Sequence, residues 1–205
     1  GIRNMHVEAA NPLGAVAAAK RLEGPRVVAN GPIIDGPKPV WAASVMVGGG
    51  PSARRVAEEL KRGGADFYKV YDFVPPGAYF ALAKEAKRLR MPMVGHVPIW
   101  VTAEEAARAG QKSIEHLSGV FEACTSDGSL DRELKHAANL WPITRQHAAK
   151  QLQAVVLQMA SSYDPEICKG LYQVFVDQET WQCPTLVALG NVQPAGLRAV
   201  RDMHA

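Results

Sequence analysis

Short apolar, β-branched runs alternate along this chain with longer stretches whose apolar residues recur at helical spacing. Residues 1–7, 26–30, 67–71, 91–97, 113–117 and 181–189 read as strands. Residues 12–22 read as a helix between the first two. Ser52 has the character of an N-cap, and Val56 and Leu60 carry a helical stripe that ends at Gly63-Gly64. A helix is predicted from 76 to 89. Thr102 caps another, with Glu105 at capping-box spacing and Gly110 as its stop. Residues 119–163 are helical and polar, with Pro142 as a break, and helices follow at 165–179 and 194–204. Strands that alternate with helices imply βαβ units, a parallel sheet and right-handed crossovers. The expected architecture is one α/β domain with a helical insertion at 119–163.

Composition narrows the classes. The chain has 205 residues, 47% of them hydrophobic and 21% charged, which is enough for one core and excludes a disordered or fibrous chain. It is short of the roughly 250 residues that a closed (β/α)₈ barrel uses. A net charge of +3 spread over the chain argues against nucleic acid, and Lys84, Lys87, Arg88 and Arg90 read as the wet face of a helix. No apolar run approaches membrane-spanning length, so no membrane partner is expected. The three cysteines, Cys124, Cys168 and Cys183, are odd in number and form no CxxC pair. They predict neither a disulfide framework nor a thiolate zinc site, and point to a reducing compartment such as the cytoplasm. The chain opens at Gly1, in a stretch without signal-peptide shape, which suggests either that something upstream has been removed or that this is a piece of something longer.

Three strands carry a residue that is odd for a buried strand. Lys69 lies in Phe67-Tyr68-Lys69-Val70-Tyr71, His96 in Val94-Gly95-His96-Val97, and His116 in Ile114-Glu115-His116. Alternation puts Phe67, Lys69 and Tyr71 on one face. The three polar groups fall at or near the C-terminal ends of successive strands, 27 and 20 residues apart, about one βα unit each. Parallel α/β folds place their sites at that end. Imidazole is the commonest metal ligand, and two together suit zinc or a similar divalent ion. A protonated lysine has no lone pair to give. It would ligate only when deprotonated, or as the carbamate formed with carbon dioxide.

The runs Gly64-Ala65-Asp66-Phe67-Tyr68-Lys69-Val70-Tyr71-Asp72, Gly95-His96-Val97-Pro98 and Ser113-Ile114-Glu115-His116-Leu117 resemble the amidohydrolase superfamily, in its prolidase-like and imidazolonepropionase-like branch. Gly24-Pro25-Arg26-Val27-Val28, Gly36-Pro37-Lys38-Pro39-Val40-Trp41 and Thr180-Trp181-Gln182-Cys183-Pro184-Thr185-Leu186 extend the resemblance along the chain. It implies a TIM (β/α)₈-type barrel with one or two divalent metals, usually zinc, at its mouth. Lys69 would match the fourth-strand lysine, carbamylated in binuclear members. His96 would match the fifth-strand ligand and His116 the sixth-strand ligand. The implied activity is metal-dependent hydrolysis of C–N bonds in peptides, N-acyl amino acids or cyclic amides, with a small-molecule or dipeptide-like substrate. Iron, manganese or nickel would also suit such ligands.

The departures carry their own expectations. The family's first-strand His-x-His pair has no counterpart, and neither does its eighth-strand aspartate, the general base; Asp202 falls on a helix. The chain therefore reads as strands two to seven of eight, an incomplete barrel without a catalytic base and inactive alone. The alternative is a non-catalytic remnant or scaffold derived from such an enzyme. A homo-oligomer stays open.

Other residues have plainer readings. Tyr71 is a candidate substrate contact, with packing as the competing role. Gly48-Gly49-Gly50-Pro51-Ser52 precedes a helix but lacks the spacing of phosphate-binding motifs, so it reads as a loop. His136 and His147 read as surface residues, and His6 as a neighbour of the mouth. Cys124, Cys183 and Ser118 lack the context of a nucleophile. The 119–163 insertion follows the His116 strand, which would place it over the mouth as a lid.

Overall fold

Tyr68 and Val70 are fully buried in the main core, while Lys69 between them points to the opposite face of its strand. That alternation sets the architecture. The computed structural model describes residues 2–4, 15, 18–21, 23–24, 26–141 and 143–185. Among them, β1 (Ile2–Asn4) pairs in parallel with β2 (Val27–Ala29). A second sheet is formed by β3 (Ile34–Asp35), β4 (Val45–Met46), β5 (Tyr68–Val70), β6 (Met93–Gly95), β7 (Ser113–Glu115) and β8 (Trp181–Cys183). All its pairings are parallel, in the order β4-β3-β5-β6-β7-β8. Six parallel strands with helical crossovers make this the α/β fold expected from the sequence.

The helices are α1 (Gly50–Arg62), α2 (Pro76–Leu89), α3 (Ala103–Ala109), α4 (Val120–Cys124), α5 (Ser129–Leu140), α6 (Arg145–Ser161) and α7 (Pro165–Asp177). The helix predicted over 76–89 is present with those bounds. Thr102 and Glu105 form the expected capping box on α3: Thr102 Oγ1 accepts from Glu105 N at 3.1 Å, and Glu105 Oε2 accepts from Thr102 N at 2.8 Å. Gly110 closes that helix at φ 97°. Ser52 is displaced from its expected place. α1 starts at Gly50, and Ser52 caps from inside its first turn, its Oγ accepting from Gly48 N and Gly49 N at 3.1 and 3.2 Å.

Side chains of the sheet's outer face meet α1 and α2. Tyr68 OH donates to Ala57 O of α1 at 3.1 Å, which satisfies a hydroxyl that would otherwise be buried alone. Four of the six predicted strands form the right-hand part of the large sheet, each shorter than its apolar run. The first two form the separate pair. β3 and β4 were not expected, because a two-residue strand shows no alternation. The helix over 194–204, Asp202, His6, Pro142 and most of the helix over 12–22 lie outside the described residues. Among the described residues no helix is long and apolar enough to cross a membrane.

The cysteine reading is corrected. Cys124 at the end of α4 and Cys168 in α7 are joined as a disulfide, their Cα atoms 4.9 Å apart. Both are fully buried, and the fold rather than local spacing brings them together. The ground for a reducing compartment is thereby removed. The bridge closes a loop of 44 residues around the helical insertion. On the chain-entropy view this contributes about 4 kcal/mol. Cys124→Ala with Cys168→Ala is expected to lower the free energy of unfolding by that order in urea titrations. Thiol titration of unreduced, denatured protein should find one thiol per chain rather than three.

Candidate metal centre

Two of the three residues singled out by the sequence directly follow a strand, and the third lies within one. Lys69 is the middle residue of β5 and is 7% exposed. His96 follows β6 directly and is 8% exposed. His116 follows β7, where the backbone turns left-handed at His116 (φ 62°) and Leu117 (φ 56°). Two successive non-glycine residues in that region are costly, and such strain is concentrated at functional sites. The turn is held by His116 N donating to Cys183 O at 2.8 Å. Ser118 Oγ then bridges to the next loop, accepting from Val97 N at 2.7 Å and donating to Val97 O at 3.2 Å. Ser118 is thus a structural tie.

The rings converge. His96 and His116 lie edge to face, with centroids 5.0 Å apart. The Tyr71 ring packs on His96 at 4.0 Å, and Lys69 Nζ lies 5.7 Å from the Tyr71 ring centre. Burial pushes the Tyr71 hydroxyl up to about 12, so it is neutral and can donate. His116 is held below the ordinary histidine range by burial first, then by electrostatic repulsion from the neighbouring His96 and Lys69. A neutral imidazole is the form that binds a metal.

Hydrogen-bond partners assign both tautomers. His96 Nδ1 lies 2.6 Å from Asp72 Oδ1, and an ionised carboxylate only accepts, so Nδ1 carries the proton. His116 Nδ1 lies 2.5 Å from Thr185 Oγ1, whose own proton goes to Pro184 O at 2.7 Å. The threonine therefore accepts, and His116 is also protonated at Nδ1. In the neutral form of each ring, Nε2 then keeps a bare lone pair. His96 Nε2 is buried and makes no hydrogen bond within the protein. A carboxylate behind one imidazole nitrogen with the other left open is the usual backing of a metal-ligating histidine.

Those residues fit a divalent ion in part. They offer two imidazole nitrogens and a neighbouring lysine. Among the described residues no group of three His, Cys, Asp or Glu side chains gathers in metal-binding fashion. His136 and His147 are exposed on the insertion, as expected.

Sequence reasoning gave no role to several residues that build this site. Asp72 closes the run 64–72 but breaks no apolar pattern there. It takes part because β5 ends at Val70, so strand alternation no longer governs where Asp72 points. Gln111 is fully buried: its Oε1 accepts from Tyr79 OH at 2.6 Å, and its Nε2 donates to Gly95 O and His96 O at 3.1 and 3.3 Å. It ties the His96 backbone to α2. Asp35 is also fully buried, and burial pushes its carboxyl up to about 6.

That shift has a sign. A carboxyl whose folded value lies above its unfolded value binds its proton more tightly when folded. Wild-type stability should therefore fall, relative to Asp35→Asn, as pH rises from about 4 to about 6, by about 3 kcal/mol in all. Urea unfolding of both proteins across that window checks it; a constant difference would contradict the assignment.

Neither a protein-family model nor a curated protein sequence matches the chain. Solved structures do. The crystal structure of A. niger ochratoxinase is 16% identical, covers 97% of this chain and 57% of its own, and has a TM-score of 0.52. A Xaa-Pro dipeptidase with methionine bound in its active site is 17% identical over 89% of this chain and 54% of its own, with a TM-score of 0.45. A bottromycin amidohydrolase is 23% identical over 72% and 46%, with a TM-score of 0.46. The chain spans about half the length of the solved structures it matches. What the ochratoxinase likeness shows is a shared fold.

Proposed function

We propose that this chain belongs to the amidohydrolase superfamily and carries part of the active site of a metal-dependent hydrolase of C–N bonds. The observation that carries the reading is the pair of Nδ1-protonated imidazoles, His96 backed by Asp72 and His116 by Thr185, each with Nε2 left to bind. His96 and His116 would hold a divalent ion, zinc by ligand chemistry. Lys69 would join them once its neutral amine has added carbon dioxide and released a proton, since the resulting carbamate is an oxygen ligand. The bound ion would supply Lewis acidity toward an amide carbonyl. The Tyr71 hydroxyl would donate to substrate from its place against His96.

The substrate class is a small amide: a dipeptide, an N-acyl amino acid or a cyclic amide. Two features of the helical insertion fit a lid. Trp141, at the end of α5, stacks on Phe73 with centroids 5.4 Å apart. A cavity of about 230 Å³ lies between the loops after His96 and His116, lined by Val97, Trp100, Gly119 and Glu122 among others. A scaffold without activity is the second reading, favoured by the lack of a third His, Cys, Asp or Glu ligand among the described residues.

The test is a hydrolysis screen of the zinc-loaded chain against dipeptides, N-acyl amino acids and cyclic imides, with and without chelator. At most trace cleavage is expected from the chain alone, and zinc-dependent cleavage in at least one class once the family's His-x-His pair and aspartate are supplied by fusion or in trans. Bound zinc with no cleavage in any class even then would favour the scaffold.

A further inference from the structure

Asp35 ends β3, and both its carboxylate oxygens are committed to backbone amides. Oδ1 accepts from Gly36 N at 2.8 Å and from Phe73 N at 2.9 Å, and Oδ2 accepts from Val40 N at 2.9 Å. The Phe73 N–H belongs to the peptide group that joins Asp72 to Phe73. The carbonyl of that same peptide, Asp72 O, accepts from Ile99 N at 3.0 Å. One peptide is therefore gripped at both ends, from β3 on one side and from the loop after β6 on the other. Asp72 hangs from it, with Oδ1 2.6 Å from His96 Nδ1. Gly36 makes the approach feasible, since a Cβ there would sit 1.9 Å from Phe73 O.

We infer that Asp35 is a positioning residue for this site: through the 72–73 peptide it holds the Asp72 carboxylate where it fixes the tautomer and orientation of His96. Its purpose rests on the reading of His96 as a ligand, but the device itself does not depend on any metal. The strength of the grip comes from charge, because hydrogen bonds to an ionised carboxylate are about twice as strong as neutral ones. It also comes from number, as three amides are served by one side chain.

Asp35→Asn leaves one acceptor oxygen for three amides and removes the charge. In metal-free protein with neutral imidazoles, the Phe73 amide should exchange roughly tenfold faster than in wild type. Heteronuclear NMR should show His96 moving away from the Nδ1-protonated tautomer, with His136 and His147 as unmoved controls. A folded Asp35→Asn protein with faster Phe73 exchange and unchanged His96 signals would overturn the inference. Should that variant not fold, wild-type hydrogen exchange decides. The Gly36, Phe73 and Ile99 amides should open together, and independent opening of Phe73 would contradict the grip. Zinc titration keeps the two claims apart. Wild type that takes no zinc, while His96 responds to Asp35→Asn, overturns the metal reading alone. Zinc binding with an unresponsive His96 overturns this inference alone.

Discussion

Replacing His96 with alanine is expected to weaken divalent-metal binding by roughly 100-fold or more, while the fold survives. The lower bound comes from weaker perturbations, since loss of a partner behind a ligand already costs roughly 10–100-fold in affinity. Asp72→Asn should fall in that smaller range, because it leaves the His96 ring in place and removes only the carboxylate that fixes its tautomer. His116→Ala should match His96→Ala, since the two rings stand 5.0 Å apart and either alone is a single imidazole. Exposed His147→Ala serves as a control and should bind as wild type. Titration with zinc or cobalt checks the series. Equal affinity in all four proteins would remove the centre from this account.

A second large effect is expected at Gly95, next to His96. Its φ is 118°, a region side chains rarely adopt, and a Cβ there would meet Val70 O at 2.3 Å, Val70 N at 2.9 Å and Lys69 Cγ at 3.1 Å. Two of those three are backbone atoms of the neighbouring strand, which cannot step aside without breaking the β5–β6 ladder. Strain at such a backbone position and overpacking each cost roughly 1–3 kcal/mol, so Gly95→Ala should destabilise the protein by about 4 kcal/mol. The urea midpoint reports it. A loss under about 1 kcal/mol would mean that β5 and β6 are further apart than described.

The same place shows why parts of the molecule could be read from sequence and parts could not. Lys69, His96 and His116 were legible because a charged or titratable group in an apolar run breaks the pattern, and spacing by one βα unit put them at one end of the sheet. The capping box at Thr102 and Glu105 was legible because its partners are three residues apart. Asp35 was not, since its strand is two residues long and its partners include Phe73, far along the chain. Cys124 and Cys168 were misread for a related reason: a 44-residue separation says nothing about proximity until α4 and α7 are packed together. Asp72 and Thr185 stood inside quoted motifs, but their role depends on where a strand stops and a loop turns back. Local pattern reveals which residues are unusual. The contacts that orient them come from the tertiary fold.

The most direct test of the central claim is equilibrium dialysis of the full chain against zinc, with bound metal counted per chain in wild type and in the His96→Ala, His116→Ala double variant. The account predicts zinc retained by wild type and lost by the double variant. Equal retention in both proteins, or none in wild type, would contradict it.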